Sequence, residues 1–317
     1  MDAKLQVKMK DSSWSKRKLF DFWHERGRRI AEKRRHGNLG VVGKIIYFFA
    51  WLFVFRALRE RLGLGRCRVP VTGAAPISEH LMEWFHAIGV DIMEGYGQTE
   101  CAGVSHLNRP GNIKLGTVGR TLPGVECQID EDGEILVRGP NVFEGYLHNE
   151  EATEETIVDG WLRTGDIGEL DSDGFLSITG RKKQIIITAG GKNLSPEKIE
   201  NALKTSPYIK EAVAIGDQRK FISALVQIDA DAVGDWASRK GIAYTSFRDL
   251  TEKEEVVDLV DREIREANDK LARVEQVKKF RLFPKELHQD DDEVTATQKV
   301  RRSVIEEKYE DLIESMY

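Results

Sequence analysis

The chain has 317 residues, 40% of them hydrophobic and 32% charged, with a formal net charge of −5. Such a length holds two or more domains with cores large enough to stand alone, and such a composition is that of a soluble globular protein. Three cysteines, Cys67, Cys101 and Cys127, make an odd number without metal-like spacing. That excludes a disulfide framework and fits a reducing, cytoplasmic compartment.

The charge is uneven. Residues 1–66 hold 17 Lys and Arg against 6 Asp and Glu, a net of +11; the rest holds 31 against 47, a net of −16. A basic stretch beside an acidic body suits an anionic membrane surface, nucleic acid, or acidic protein surface elsewhere in the molecule. Met1-Asp2-Ala3-Lys4 is too polar to open a signal peptide. Lys16 to Arg35 reads as a basic helix with Leu19, Phe20, Phe22, Trp23 and Ile30 as its apolar positions, broken at Gly37 and Gly40. A second helix runs from about Val42 to Leu62 and stops at Gly63 and Gly65. Its most apolar run, Ile45 to Phe55 between Lys44 and Arg56, falls short of the roughly 20 residues that cross a bilayer. A buried helix is expected, in preference to an interfacial one with a basic rim.

Cys67 to Thr72 reads as a short strand, broken by Gly73-Ala74-Ala75-Pro76. Ser78 caps a helix over Glu79 to Ala87, with acids suited to its positive end, and Val90 to Met93 is the next strand. Strand, helix and strand in so few residues predict a piece of parallel sheet. From Gly116 to Gly180 the helical signal vanishes. Short β runs appear at Glu126 to Ile129, Glu134 to Val137 and Phe175 to Ile178, the last two after hairpin turns at Asp132-Gly133 and Asp173-Gly174. A distorted barrel or small β domain is expected.

Beyond Lys183, Gln184 to Thr188 is a β run and Ala189-Gly190-Gly191-Lys192 a loop. Ser195-Pro196-Glu197 starts a helix. Ala212 to Ile215 and Ser223 to Ile228 are strands. Thr251 and Glu254 form a capping box for a helix with its stripe at Val256, Val260, Ile264, Ala267, Leu271 and Val274, and Asp290 to Glu293 is a solvated loop. The fold class is α/β with β-barrel-like and α+β parts. One domain spans 1–182, helical over 1–65, α/β over 66–115 and β-rich over 116–182; a small α+β domain spans 183–317.

Five stations carry the chemistry, in order: Gly73-Ala74-Ala75-Pro76, Gly95-Tyr96-Gly97-Gln98-Thr99-Glu100, Arg163-Thr164-Gly165-Asp166, Gly180-Arg181-Lys182-Lys183, and Lys299. Each alone is weak, because a glycine-punctuated segment is usually a turn and an Asp after Gly usually a turn residue. Tyr96 offers a face for a flat base, and Glu100 is the one carboxylate such a loop would bring to Mg2+ beside phosphates.

Together the five resemble the acyl-adenylate-forming enzymes, with the long-chain fatty acyl-CoA synthetases as the most similar branch, from about Lys8 to Leu312. The resemblance implies a partial large adenylate-forming domain followed by a small mobile carboxy-terminal domain. It implies that Gly73, Ala74 and Ala75 line adenine, and that Tyr96, Gly97, Gln98 and Thr99 surround the nucleotide. Glu100 would hold Mg2+, Asp166 would bind ribose, and Arg181 would bind ribose or phosphate from the other side. Lys183 would be the hinge, Gly190 and Gly191 would meet the CoA thiol arm, and Lys299 would bridge substrate carboxylate and α-phosphate. Thr99, Glu100 and Lys299 are the catalytic candidates. Two positions differ from the long-chain pattern, Ala296 standing where Pro and Gln298 where Leu or Met is frequent.

The implied reaction converts long-chain fatty acid, ATP and CoA to acyl-CoA, AMP and pyrophosphate. The family's Ser/Thr/Gly-rich phosphate loop has no counterpart between Met1 and Gly73, so the chain is expected to be the carboxy-terminal half of a synthetase. The alternatives are an acyl-AMP ligase with another acceptor, or a non-catalytic nucleotide-binding module that needs a separate amino-terminal half. Exposed apolar patches, homo-oligomer formation or docking on that half, and peripheral membrane contact are the partner expectations; nucleic acid is not one.

Overall fold

The structure is a computed structural model that describes residues 14–35, 39–75, 77–295 and 299–317. Met1 to Lys4, Gly37, Pro76, Ala296 and Gln298 lie outside the described residues. The chain divides into two compact units, the first ending at Lys183 and the second beginning at Gln184.

The first unit opens with α1 (Trp14–Arg35) and the long helix α2 (Val41–Arg61), whose middle turn, Trp51–Phe55, is a π-helix. Phe55 and Ala50 put one side of α2 into the core. Gly27 of α1 leaves room for this packing: a Cβ there would stand 2.8 Å from the Phe55 ring and 2.4 Å from the Ala87 carbonyl oxygen. The other side of α2 is open. Phe53 is 60% exposed and Phe48 55%. This corrects the expected buried helix: a run apolar all round says nothing of what covers each face. Among the described residues α2 is also the one helix long and apolar enough, by length and composition, to cross a membrane.

Next come β1 (Val71–Thr72), α3 (Glu79–Ala87), β2 (Met93–Tyr96), β3 (His106–Leu107) and β4 (Arg120–Thr121). The Ser78 hydroxyl accepts the Leu81 amide and caps α3. β1 and β2 pair in parallel, Val71 opposite Met93, and β3 and β4 continue the sheet antiparallel. The second strand thus starts at Met93 and not at Val90, because Val90 still bonds back to Phe85 in the turn that closes α3.

The β-rich part is an open sheet. Its strands β5 (Glu126–Ile129), β6 (Glu134–Arg138), β7 (Ile157–Val158) and β8 (Trp161–Leu170) run in order β5-β6-β8-β7, and β9 (Leu176–Arg181) also pairs with β8; α4 (Glu150–Thr156) precedes β7. No barrel closes, since β5 pairs with β6 alone and β9 with β8 alone. Both predicted hairpin turns are present, with Gly133 at φ +86° and Gly174 at φ +79°.

The second unit holds β10 (Ile186–Ile187), β11 (Asn193–Leu194), α5 (Pro196–Leu203), β12 (Ile209–Ile215), β13 (Ile222–Ile228), α6 (Ala230–Lys240), α7 (Phe247–Glu252), α8 (Glu254–Asn268), β14 (Val277–Leu282), α9 (Arg302–Lys308) and α10 (Glu310–Glu314). Its sheet runs β12-β13-β14, and every residue of β13 is buried. Strand alternation explains why. Ala212, Ala214, Ala224 and Val226 face a core with α5 and α8, while Val213, Ile215 and Leu225 face Phe283, Ile305 and Met316. Burying one Leu or Ile in this way stabilises by about 1.5–3 kcal/mol. Ser195 caps α5 as expected. The Thr251 capping box does not form: Ser246 caps α7, the Thr251 hydroxyl donates to Arg248 O, and α8 begins at Glu254 with no side-chain cap. Val274 lies beyond α8 and is half exposed.

Candidate functional site

At the end of β2 the chain turns sharply through Gly97. A Cβ there would lie 2.5 Å from Gly103 O and 2.7 Å from Val104 Cα, so only glycine fits. The Thr99–Cys101 turn is tied by the Gln98 amide donating to Cys101 Sγ at 3.1 Å. Tyr96 and Gln98 then point at one carboxylate. The Tyr96 hydroxyl donates to Asp166 Oδ2 at 2.7 Å, Gln98 Nε2 donates to the same oxygen at 3.1 Å, and Arg181 Nε lies 2.9 Å from Oδ1. Asp166 is buried. Burial, aided by the Asp166 charge, pushes the Tyr96 hydroxyl well above its ordinary pKa, so it stays a donor.

Asp166 reaches this point from within β8 and not from a turn, as its sequence context had suggested. Glu134 faces Ile167 and Leu136 faces Arg163, so two more residues lie on β8 than on β6 between these pairs. The surplus bulges at Thr164-Gly165-Asp166, with Gly165 at φ +69°. Three bonds hold the bulge. Thr164 Oγ1 donates to Ile135 O at 2.7 Å, the Asp166 amide donates to Thr164 Oγ1 at 3.2 Å, and the Gly165 amide donates to Glu134 Oε1 at 2.9 Å. The other oxygen of buried Glu134 takes Arg163 at 3.0 Å and Lys182 at 3.1 Å. Glu134 therefore props both the bulge and the residue next to Lys183. Sequence reasoning missed it, because its partners lie about thirty and fifty residues further on; the only trace is the spacing of Asp130, Asp132 and Glu134 around a hairpin turn.

Those three carboxylates are the one group among the described residues whose oxygens lie within 4.8 Å of each other as metal ligands would. Arg163 pairs with Asp130 and Glu134, and Lys182 with Asp132 and Glu134, so cations of the chain already neutralise them. Glu100, the expected metal residue, stands apart. Its Oε1 accepts the Tyr146 hydroxyl at 2.8 Å, and Thr153 Oγ1 accepts the Tyr146 amide at 2.9 Å. A single half-buried carboxylate suits a magnesium ion that takes its remaining ligands from phosphates and water. Tyr146 too went unforeseen, as Gly145-Tyr146 carries no signal of its own. Thr99 is exposed beside Glu100.

Gly73, Ala74 and Ala75 are exposed and follow β1, and a Cβ on Gly73 would lie 3.0 Å from Gly95 O. The two backbone segments that the sequence links to a base are thus neighbours. The Tyr96 ring is less open than expected. It is 9% exposed and packs with Cys101, Val118 and Ile135, because a hydroxyl satisfied inside the unit allows the ring to be buried.

The remaining candidates belong to the second unit. The Gly190-Gly191 loop is closed by the Thr188 amide on Lys192 O at 3.0 Å and the Gly191 amide on Thr188 O at 2.8 Å. Lys299 is exposed beside an isolated bridge: the Thr295 amide donates to Lys299 O at 2.8 Å, and Val294 pairs with Val300. Buried Glu293 roots that bridge, accepting Lys285 and Lys308 at 3.0 Å each and the Tyr309 hydroxyl at 2.9 Å.

Residues 25–147 match the model of the AMP-binding enzyme family, and residues 183–317 that of the AMP-binding enzyme C-terminal domain. The long-chain-fatty-acid–CoA ligase FadD15 of Mycobacterium tuberculosis is 43% identical over 265 residues, 83% of this chain and 44% of that protein. The human long-chain-fatty-acid–CoA ligase ACSBG1 is 35% identical over 288 residues, 83% of this chain and 40% of that one. The chain thus spans less than half the length of these relatives. Among solved structures, the O-succinylbenzoate coenzyme A synthetase of Bacillus subtilis in complex with ATP and magnesium superposes with a TM-score of 0.58 at 27% identity, over 78% of this chain and 49% of that one. The A domain of a carboxylic acid reductase from Segniliparus rugosus shares the fold, with a TM-score of 0.64 at 20% identity over 93% of this chain and 45% of that one.

Proposed function

The chain belongs to the AMP-binding enzyme family, and we propose that it carries the ribose-binding and carboxy-terminal parts of a long-chain fatty acid–CoA ligase. The reaction would join fatty acid to CoA at the expense of ATP, releasing AMP and pyrophosphate. The observation that carries this reading is the convergence of Tyr96, Gln98 and Arg181 on Asp166. A buried carboxylate aimed by three donors is suited to accept the paired hydroxyls of a ribose. The Gly73-Ala74-Ala75 backbone beside Gly95 would lie against the base, with an edge of the Tyr96 ring. Glu100 would hold Mg2+, which when bound neutralises phosphate charge. Lys299 would stabilise the negative charge between carboxylate and α-phosphate, where a mobile ammonium acts most strongly. Lys183 would be the hinge and Gly190-Gly191 the CoA-facing loop. The free thiols fit a cytoplasmic setting, and peripheral membrane contact is a separate part of the proposal.

The test is palmitate-dependent AMP formation from ATP and Mg2+, with and without CoA, on the chain and on Lys299→Ala, beside AMP binding by the chain and by Asp166→Asn. AMP binding that Asp166→Asn abolishes supports the nucleotide site. Turnover lost in Lys299→Ala supports the whole reaction. Binding without turnover favours the second reading, a nucleotide-binding part that needs the remainder of a protein more than twice its length, as the 44% span of FadD15 suggests. Absence of AMP binding refutes both.

A further inference from the structure

Residues 141–146 run along the loop that follows β2 and grip it around Glu100. Asn141 Nδ2 donates to Cys101 O at 3.1 Å, the Phe143 amide donates to Glu100 O at 2.8 Å, and the Tyr146 hydroxyl donates to Glu100 Oε1 at 2.8 Å. The main chain and the carboxylate of Glu100 are thus both held, the carboxylate by a residue 46 positions further along the chain.

Tyr146 is itself fixed. Its amide donates to Thr153 Oγ1 at 2.9 Å, and that hydroxyl donates to Asn149 O at 2.8 Å, which ties the tyrosine to the start of α4. Its ring meets the Phe143 ring edge-on, with centroids 4.9 Å apart. Gly145 closes the fit, since a Cβ there would stand 2.6 Å from Thr153 Cγ2. Tyr146 is 38% exposed, so packing alone gives little reason for so many constraints on it.

The effect on Glu100 is a loss of freedom. A lone carboxylate on a loop samples several rotamers, and one that accepts a phenol keeps few of them. Oε1 spends a lone pair on Tyr146, while Oε2 takes no donor among the described residues and stays open to a cation. A ligand oxygen fixed before the ion arrives spares the entropy that binding would otherwise cost.

We propose that Tyr146 is a positioning residue, which presents Glu100 Oε2 to the divalent cation accompanying the nucleotide and thereby sets the affinity for that cation. The proposal rests on the nucleotide-site reading and gives it a residue outside its five stations. Among the described residues Tyr146 makes no bond to Tyr96, Asp166 or Arg181, so its effect falls on the metal and not on metal-free nucleotide.

The test titrates Mn2+, whose unpaired electrons broaden nearby amide resonances, into the full chain with ATP present. In the parent, the Thr99, Cys101 and Ala102 amides are expected to broaden, and Glu100→Gln abolishes this. Tyr146→Phe requires about ten-fold more Mn2+. Thr153→Val, which keeps the hydroxyl on Glu100 but frees the Tyr146 amide, falls between. Binding of AMP without metal is the same in the parent, Tyr146→Phe and Thr153→Val. Broadening of Tyr146→Phe at the parent's Mn2+ concentration overturns the proposal. So does loss of metal-free AMP binding in Tyr146→Phe, which would make the tyrosine a support of the whole loop. A parent that binds AMP but shows no broadening at these amides also overturns it, and leaves the ribose site standing. A parent that binds no AMP removes the nucleotide reading and this inference with it.

Discussion

Replacing Glu134 by Ala removes a carboxylate that serves three partners at once. Two contribute little. Arg163 and Lys182 are 35% and 44% exposed, and each keeps a second carboxylate, Asp130 or Asp132, so their pairs are screened and worth up to about 1 kcal/mol together. The third is the Gly165 amide, held by a charged acceptor at 2.9 Å in the bulge. Losing that bond costs about 1.5–3 kcal/mol. The expected destabilisation is about 1.5–4 kcal/mol. Urea unfolding followed by tryptophan emission reads it in the first unit, which contains Trp14, Trp23, Trp51, Trp84 and Trp161, five of the six tryptophans. Hydrogen exchange locates it: the Gly165 and Asp166 amides lose protection, and those of β13 keep theirs. Glu134→Gln, which retains an acceptor for Gly165, falls between. A change under about 0.5 kcal/mol in the Ala variant, or loss of stability with the Gly165 amide still protected, would refute the assignment of Glu134 as the prop of the bulge.

Three further predictions concern pH. Burial raises Glu94 from 4.5 to about 7, so its contribution is complete below pH 4.5 and is lost as pH rises through 7. Glu94→Gln is therefore expected to stabilise the first unit at pH 8 by up to about 3 kcal/mol and to have little effect at pH 4.5, as thermal unfolding at the two pH values would reveal. Burial lowers His106 from 6.5 to about 4, the opposite linkage. Stability is complete above pH 6.5 and falls by up to about 3 kcal/mol as pH drops through 4, and His106→Gln should flatten that slope. In the second unit burial opposes the charge on Glu293, yet Lys285, Lys308, the His288 amide and the Tyr309 hydroxyl hold its carboxyl below the usual range. That contribution is present above pH 4.5 and disappears on acidification. Glu293→Gln should cost about 1–3 kcal/mol at pH 7 and expose the Thr295 amide to exchange; a variant as stable as the parent contradicts the reading.

The segments holding Tyr96, Asp166 and Arg181 stood out because each pairs a glycine with a polar or charged side chain, and the structure brings these three side chains together. Hairpins at Asp132-Gly133 and Asp173-Gly174, and caps at Ser78 and Ser195, were legible for the same local reason. What failed was non-local. The exposure of Phe53 depends on what packs across α2, which periodicity does not record. The bulge at Gly165 depends on two extra residues opposite β6, so a strand passed for a turn. Thr251 and Ser246 offer similar capping signals a few residues apart, and the start of α7 decided between them. Glu134 escaped notice because its role is set by partners distant in sequence.

The occupied state of Asp166 bears on the ribose role proposed for it. Oδ2 is occupied by a phenol and an amide and Oδ1 by a guanidinium before any sugar arrives. Oδ1 keeps one lone pair that a ribose hydroxyl could use under the proposed reading, while a second hydroxyl would have to share or displace a resident donor. Loss of a resident donor, as in Tyr96→Phe, would vacate a seat the sugar could fill without displacing anything, tightening the grip on ribose while loosening the carboxylate that offers it.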